Sequence, residues 1–229
     1  MILKYGLRKE DLATFLNTAN VQGLDQDYVI FILLAYTGMR VGELCALKWQ
    51  DIDFEQQSIS ITKTYYNPTN NINKYQLLPP KTKSAKRTVE IDTFVINELE
   101  KHQQFQKKVK MRYRKGYHDK DFVFALMDEN NPGYPLYIKR IENRMTRLLK
   151  LANKGIGADE NKINEALTPH SLRHTHTSLL AEAGVGLQEI MDRLGHKDDT
   201  TTKNVYLHVT KPKKKEAAHK FSELMRDLR

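Results

Sequence analysis

Basic side chains near residue 170 form the part of the sequence whose residue types and spacing best suit chemistry. His170 and Arg173 are three residues apart, so one face of a helix would carry both an imidazole and a guanidinium. At the start of a helix, free backbone N–H groups also favour an anion. His170 and His174 have the i, i+4 spacing of zinc ligands, but no glutamate follows His170 as it does in HExxH sites. The segment therefore favours an anion-binding site over a metal site.

Other segments add side chains that could act on a phosphate. Arg40 and Glu43 are one helical turn apart, His196 follows Leu-Gly, and Tyr206 comes ten residues after His196. Each also has a purely structural interpretation. An exposed Arg–Glu pair would contribute only ~0–1 kcal/mol to stability, and Tyr206 is one of 11 tyrosines, most of which must serve in packing.

The order of these segments resembles that of the motifs of tyrosine recombinases, the phage-integrase family. Residues 170–174, His-Ser-Leu-Arg-His, resemble the HxLRH box, and residues 37–44 resemble the TGxRxxEL box. Residues 194–196 resemble the LGH box, and residues 206–209, Tyr-Leu-His-Val, resemble the YxHV segment. Residues 80–84, Pro-Lys-Thr-Lys-Ser, resemble the β-hairpin that carries a lysine. The resemblance thus spans most of the chain and follows the family's order.

The resemblance implies a role for each motif residue. Tyr206 would be the nucleophile, Glu43 would orient Arg40, and Lys81 would protonate the leaving 5′-oxygen. Lys83 is the alternative to Lys81, because the hairpin varies in length within the family. The implied catalytic residues are Arg40, Lys81, His170, Arg173, His196 and Tyr206. The basic residues expected to contact DNA are Lys83, Lys86 and Arg87.

Physical chemistry agrees with these roles. Cleavage by a tyrosine needs a nucleophile, neutralisation of a negatively charged transition state, and a proton for the leaving oxygen. A tyrosine hydroxyl ordinarily titrates at ~10, so cationic neighbours or a base such as His170 must help it to ionise. Arg40 and Arg173 would offer planar donor forks that lysine cannot copy, and His196 would bind the phosphate or the leaving group. Removing one such donor typically costs ~3–4 kcal/mol of transition-state stabilisation.

The reaction that the resemblance implies is a site-specific exchange of DNA strands, for integration and excision of a phage or other mobile element. A 3′-phosphotyrosyl link would store the energy of the broken phosphodiester, so neither ATP, a metal nor another cofactor is expected. Four protomers would assemble on two synapsed double-stranded sites, whereas the isolated domain would be monomeric. A helix over residues 213–228 would dock on a neighbouring protomer or, alternatively, pack on its own domain.

The charge balance agrees with a nucleic-acid partner. The 229 residues include 37 Lys+Arg and 28 Asp+Glu, which gives a formal net charge of +9. Such an excess favours an anionic partner. The sequence contains one cysteine and no phosphate-loop motif, and no apolar run approaches the ~20 residues that span a bilayer. We therefore expect a cytoplasmic protein that does not associate with membranes.

A mainly α-helical fold with a small antiparallel β-sheet (α+β) must position these residues. Hydrophobic periodicity and capping signals predict the elements. The predicted helices cover residues 9–20, 25 or 27 to 36, 40–47, 93–114, 136–153, 171–183, 187–194, 200–208 and 213–228. The predicted strands cover residues 58–66, 75–78 and 87–91, and the last two are expected to pair around the basic segment between them.

We expect one domain over residues 1–229, namely the catalytic domain of a longer integrase. The core-binding and arm-binding domains that usually precede it in the family do not fit before residue 9. Two alternatives stay open at this stage. A type IB topoisomerase uses similar residues to relax supercoiled DNA, and a basic DNA-binding module could carry the same motifs without activity. No motif marks the base contacts that would select a DNA site.

Overall fold

The structure is a computed structural model that describes residues 6–69, 71–80, 82–157, 162–196 and 200–226. Helices account for most of this part of the chain. They are α1 (Lys9–Gln22), α2 (Asp27–Thr37), α3 (Val41–Cys45), α4 (Thr93–Tyr113), α5 (Ile138–Ala152), α6 (Pro169–Glu182), α7 (Leu187–Leu194) and α8 (Thr200–Arg226). The predicted fold class, mainly α with a small antiparallel sheet, is confirmed.

Helix α2 is the centre of the fold because nearly all its side chains are apolar. Helices α1, α3, α4 and α6 pack against it, and every residue from Val29 to Ala35 is buried. A helix that is apolar on all sides is stable only when other elements surround it. The last turn of α2 therefore lies deep in the domain, and the chain leaves it at Gly38, beside the candidate site.

Short strands form the β part of the described chain, in two antiparallel sheets. One sheet has the order β1-β2-β5 and the other pairs β3 with β4. The strands are β1 (Ile52–Asp53), β2 (Ser58–Ile61), β3 (Thr64–Tyr66), β4 (Gln76–Leu78) and β5 (Arg87–Glu90). The buried side chains of Ile59 and Val89 face each other across β2 and β5.

The expected pairing of residues 75–78 with residues 87–91 is wrong. The predicted strand over residues 58–66 divides into β2 and β3, and each half takes a different partner. The division falls next to Lys63, whose Nζ contacts both carboxylate oxygens of Asp51, at 2.7 and 2.6 Å. This ion pair lies at the point where the chain passes from one sheet to the other.

The C-terminal helices also differ from the prediction. The segments expected over residues 200–208 and 213–228 form one helix, α8, which runs through Pro212. Proline costs ~3 kcal/mol inside a helix, but the lysine, glutamate and alanine residues that follow favour helix strongly. Helix α8 packs against α6 and α7.

None of the helices in the described ranges is long and apolar enough to cross a membrane.

Candidate active site

Helices α2 and α7 both end at the centre of the site, each at a glycine in the left-handed conformation. The φ angle is 63° at Gly38 and 70° at Gly195. Glycine adopts such angles without strain because it lacks Cβ. At Gly38 a Cβ would also lie 2.7 Å from side-chain atoms of His176 and Leu194. These turns bring together two helix C-termini, where partial negative charge collects.

Arg173 lies between these two helix ends and is only 3% exposed. Its Nη1 donates to the carbonyl oxygen of Gly38 at 2.6 Å, and its Nη2 donates to that of Leu194 at 2.6 Å. The guanidinium fork is rigid, so these bonds fix its plane as well as its position. Arg173 itself belongs to α6, which begins at Pro169, a residue suited to the first helical position. One buried arginine thus ties α6 to the ends of α2 and α7.

His196 is the point at which two arginines meet. Its Nε2 lies 2.6 Å from Nη2 of Arg173 and 2.9 Å from Nη2 of Arg40. A guanidinium can only donate hydrogen bonds, so Nε2 of His196 accepts and the ring proton is assigned to Nδ1. That Nδ1 donates to Oγ1 of Thr202 on α8, at 3.0 Å. An acceptor atom therefore sits where two guanidinium groups converge.

Arg40 precedes α3 in an extended conformation, and its side chain is 41% exposed. Glu43 holds it in two ways. One carboxylate oxygen accepts from the backbone N–H of Arg40 at 2.8 Å, and the other accepts from Nη1 at 3.1 Å. The pairing at the start of α3 thus fixes both the backbone and the side chain of Arg40, while the remaining edge of the guanidinium faces His196.

Glu43 also binds a second arginine, Arg87 of β5. Nη2 and Nη1 of Arg87 donate to the two carboxylate oxygens, at 2.8 and 3.2 Å. Burial alone would raise the pKa of Glu43, but hydrogen bonds and charges from Arg87 and Arg40 lower it below its usual value. We call Arg40, Glu43, Arg87, Arg173 and His196 the arginine–histidine cluster. Its guanidinium groups outnumber its single carboxylate, so its electrostatic field attracts anions.

The expected nucleophile, Tyr206, lies on α8 one helical turn after Thr202, and therefore on the same face. Its half-buried ring packs against Ala181, Ile190 and Leu194. Its backbone carbonyl accepts from Oγ1 of the residue one turn further on. Among the described residues, no side chain hydrogen-bonds the Tyr206 hydroxyl. Helix α8 therefore carries both Tyr206 and Thr202, the residue whose hydroxyl binds the imidazole of His196.

Comparison with known proteins decides the family. The family model of the phage integrases matches residues 6–213. The chain belongs to the phage integrase family. The integrase of Staphylococcus phage L54a is 35% identical over 191 residues, which are 83% of this chain and 50% of that protein. A XerC-like tyrosine recombinase of Caldanaerobacter subterraneus subsp. tengcongensis is 30% identical over 207 residues, 85% of this chain and 49% of that protein.

Solved structures agree with this assignment. A Tn1549 transposon integrase in complex with circular intermediate DNA has a TM-score of 0.75 and 26% identity, and the match covers 96% of this chain and 68% of that one. This integrase-family chain thus has the fold of a tyrosine recombinase, and its relatives include integrases of mobile elements. It spans about half the length of the relatives named above.

The structure brings together some of the family's motif residues and not others. Arg40, Arg173 and His196 are in contact, as described. His170 is exposed in the first turn of α6, where its ring lies edge-on to that of His174, with centroids 4.7 Å apart. Lys81 and the side chain of Lys83 lie outside the described residues. In the ranges that are described, no three His, Cys, Asp or Glu side chains group as metal ligands.

Arg87 does not have the position expected of a DNA contact. Its side chain is 5% exposed, and its Nε donates to the carbonyl oxygen of Arg193 at 2.8 Å. The preceding Lys86 is exposed. Adjacent residues in an extended segment point to opposite sides, so only one member of this basic pair can face solvent. A DNA contact by Arg87 stays a prediction that this burial does not favour, whereas Lys86 keeps the exposure that such a contact requires.

Sequence reasoning missed a buried histidine beneath the site. Nδ1 of His176 lies 2.9 Å from the carbonyl oxygen of Ala35, and Nε of Arg193 donates to its Nε2 at 3.1 Å. Burial, together with the charges of Arg193 and Arg173, lowers the pKa of His176 to about 4. The neutral ring packs so closely against Gly38 that a Cβ there would lie 2.7 Å from it. Its only sequence signal is its position three residues after Arg173, on the same face of α6.

Proposed function

We propose that this chain is the catalytic domain of a site-specific recombinase that integrates and excises a phage or other mobile element. One observation carries the proposal: Nη2 of Arg40 and Nη2 of Arg173, from distant segments, aim at a single acceptor atom of His196. Two planar donor groups directed at one point suit the non-bridging oxygens of a phosphodiester. On DNA binding, a phosphate oxygen would replace Nε2 of His196 as their acceptor. The imidazole, with its proton on Nε2 and with Nδ1 accepting from the Thr202 hydroxyl, would then donate to the phosphate.

The proposed reaction exchanges one phosphodiester for another. The Tyr206 oxygen attacks the scissile phosphorus while its proton passes to His170, and a 3′-phosphotyrosyl bond forms. The bond between phosphorus and the 5′-oxygen breaks, and Lys81 or Lys83 gives that oxygen a proton. The 5′-hydroxyl of a second strand then attacks the phosphorus and gives its proton to the lysine, and the tyrosine leaves and regains its proton from His170. Because the phosphotyrosyl bond stores the energy of the broken one, the proposed mechanism uses neither ATP nor a metal.

The arginines act on the charge that develops during this exchange. A phosphorane-like transition state carries more negative charge on its non-bridging oxygens than the ground state does. Donors already fixed in place stabilise that charge without reorganising. Arg173 is fixed by two backbone carbonyls and Arg40 by Glu43, which supports a preorganised site for the transition state.

The proposed partner is double-stranded DNA, on which four protomers exchange strands between two attachment sites. The Tn1549 integrase was solved in complex with DNA. Near the end of α8, Phe221 is 63% exposed and Met225 is 39% exposed. These residues are four apart, so they lie on one face of the helix. Exposed apolar side chains on one face favour contact with another protein surface, which supports docking of this helix on a neighbouring protomer. Without DNA, we propose that the chain is monomeric.

Covalent trapping tests the reaction. The chain would be incubated in EDTA with a nicked duplex that carries the core site of its element, and the products would be separated on a denaturing gel. We expect a slower protein–DNA band that Tyr206→Phe abolishes. Tyr36→Phe is the matched control, because Tyr36 is also partly exposed and packs against Phe94. DNA binding without a covalent band in the wild-type protein would leave only the DNA-binding module, and relaxation of plasmids that lack the core site would favour a topoisomerase.

A modified substrate would identify the general acid. Replacing the bridging 5′-oxygen with sulfur gives a leaving group that needs no proton, because thiols are far more acidic than alcohols. We expect either Lys81→Gln or Lys83→Gln to lose cleavage of the ordinary substrate and to regain it with the sulfur substrate. The variant of the lysine that is not the general acid should cleave both substrates as the wild-type protein does. Failure of the sulfur substrate to rescue either variant would contradict a lysine general acid between β4 and β5.

A further inference from the structure

Arg87 joins segments that are far apart in the chain. Its Nε donates to the carbonyl oxygen of Arg193, in the last turn of α7, and its Nη1 donates to that of Ala85 at 3.1 Å. Gly195 makes this approach possible, since a Cβ there would lie 3.1 Å from Cδ and Nη1 of Arg87. Arg87 therefore connects the start of β5, next to the segment that carries the candidate lysines, to the turn that presents His196.

Arg87 and Arg40 share the carboxylate of Glu43. One oxygen accepts from Nη1 of both arginines, at 3.1 Å from Arg40 and 3.2 Å from Arg87. The other accepts from Nη2 of Arg87 and from the backbone N–H of Arg40. A buried carboxylate paired with one arginine favours the bidentate arrangement. Because Arg87 takes that arrangement, Arg40 keeps a single side-chain contact with Glu43 and directs its Nη2 to His196.

We propose that Arg87 is a positioning residue for the recombination reaction: by occupying Glu43, it keeps the Arg40 guanidinium turned towards the scissile phosphate. Without Arg87, the Arg40 guanidinium would rotate to pair with both oxygens of Glu43 and would leave the phosphate site. The inference rests on the proposed function and adds to it a residue that lies outside the family's motif boxes as read in this sequence.

The experiment must separate positioning from DNA contact, the role that the sequence suggested for Arg87. A residue that contacts a phosphate contributes to the salt dependence of binding, and its removal lowers the slope of log K against log salt by ~1. A residue that acts through Glu43 makes no phosphate contact of its own, so its removal changes this slope only as far as Arg40 leaves the phosphate, and it leaves the slope unchanged in an Arg40→Gln background. Its removal also lowers the cleavage rate at saturating DNA by ~10–100-fold, as for other residues that orient a reacting group.

Arg87→Gln, Arg87→Lys and Lys86→Gln would be compared by salt-dependent DNA binding and by single-turnover cleavage of the nicked core site. For Arg87→Gln we expect the slower cleavage, with a salt slope that does not change when Arg40→Gln is already present. Arg87→Lys should recover part of the rate, because it restores the charge opposite Glu43 but not the fork. Lys86→Gln is the comparison for a true phosphate contact and should reduce the slope. A reduced slope for Arg87→Gln with wild-type cleavage at saturating DNA would overturn the proposal.

A double variant tests whether Arg87 acts through Glu43. If both residues serve to orient Arg40, Glu43→Gln with Arg87→Gln should cleave no more slowly than the slower single variant. Multiplied effects would show independent, structural roles and would overturn the proposal.

Arginine side-chain NMR on the DNA-free chain provides a readout that does not need cleavage. Arg87→Gln should shift the guanidinium signals of Arg40, and Arg87→Lys should return them towards their wild-type positions. Unchanged Arg40 signals would overturn the positioning role even if the enzyme is active. Absence of a covalent band in the wild-type protein would instead count against the proposed function, and the NMR result would still decide the role of Arg87.

Discussion

The arginine–histidine cluster and α8, which carries Tyr206 and is called the tyrosine helix below, are held in the domain by different forces. Arg173 and Arg87 are buried, and each is fixed to backbone carbonyls of other segments by charge-assisted hydrogen bonds. Tyr206 packs on an apolar surface of α6 and α7. None of the side chains in the described ranges makes a hydrogen bond to its hydroxyl. Under the proposed function, the residues of the cluster that bind the phosphate therefore also hold the fold together. The proposed role of Tyr206 does not depend on such contacts, so we expect Tyr206→Phe to remove the reaction without loss of stability.

The largest expected difference is between Arg173→Gln and Arg40→Gln. Both should slow covalent trapping by ~10²–10³-fold, the usual loss when a preorganised donor is removed. Arg173→Gln should also lower the free energy of unfolding by ~2–5 kcal/mol, because the carbonyls of Gly38 and Leu194 would stay buried without their donor. Arg40 is 41% exposed, so its loss should cost less than ~1 kcal/mol. Urea unfolding measures the difference, and equal destabilisation by the two variants would break the comparison.

Sequence can predict those parts of the site in which the functional residues are close to one another along the chain. Arg40 and Glu43 are one turn apart, and His196 follows the glycine that ends α7, so local pattern and family resemblance were enough to select them. Long, strongly periodic helices such as α4 and α5 were predictable for the same reason. Each of these assignments depends on residues that are neighbours in the chain.

The rest depends on contacts between distant residues. Arg87 meets the carbonyl of Arg193, 106 residues away, and His176 meets that of Ala35, 141 residues away. No local pattern distinguishes an arginine that binds a carboxylate inside the domain from one that faces DNA, which is why Arg87 was grouped with Lys86. The strand pairing expected from the sequence is wrong for a similar reason, since β5 pairs with β2, which lies more than 25 residues before it in the chain.

Acid should lower the stability of the domain by protonating the buried His176, which packs next to the cluster. The pKa of His176 is lowered to about 4, against ~6.5 in an unfolded chain. Between these two values the unfolded chain therefore binds more protons than the folded one. The contribution of His176 to the free energy of unfolding is fully present above pH 6.5, and ~3 kcal/mol of it is lost as the pH decreases towards 4. Glu43 has a lowered pKa, so its contribution is lost only below the usual range of a glutamate.

Urea unfolding between pH 6.5 and 4.5 checks this expectation with His176→Gln. The variant should be less stable at pH 7, but its stability should fall less steeply with acid than that of the wild-type protein. Some slope should persist, since burial also lowers the pKa of His102 and of His118. His118→Gln is the matched control, with a smaller expected change because this ring is less buried. A His176→Gln slope equal to that of the wild type would contradict a neutral, buried His176.

Gly38→Ala tests how tightly the helix ends must meet. At this position a side chain would face both a positive φ angle of 63° and contacts of 2.7 Å to His176 and Leu194. We expect a loss of ~2–3 kcal/mol, at the upper end of the cost of backbone strain. Gly155→Ala is the control, because φ is 87° there with nothing within 4 Å, and strain alone should cost ~1 kcal/mol. Equal losses would show that crowding at the cluster contributes nothing.

The smallest expected effect lies at the junction of the two regions. Thr202 is on the tyrosine helix, and its Oγ1 accepts the proton of His196 Nδ1, which leaves Nε2 as the acceptor between Arg40 and Arg173. Thr202→Val removes the hydroxyl at constant shape, so the imidazole loses the partner that fixes its tautomer. We expect ~10-fold slower cleavage and a loss of ~1 kcal/mol in stability. Thr202→Ser keeps the hydroxyl and should cleave nearly as fast as the wild-type protein. If valine and serine act alike, the hydroxyl does not couple the two regions, and the tyrosine helix serves only to carry Tyr206.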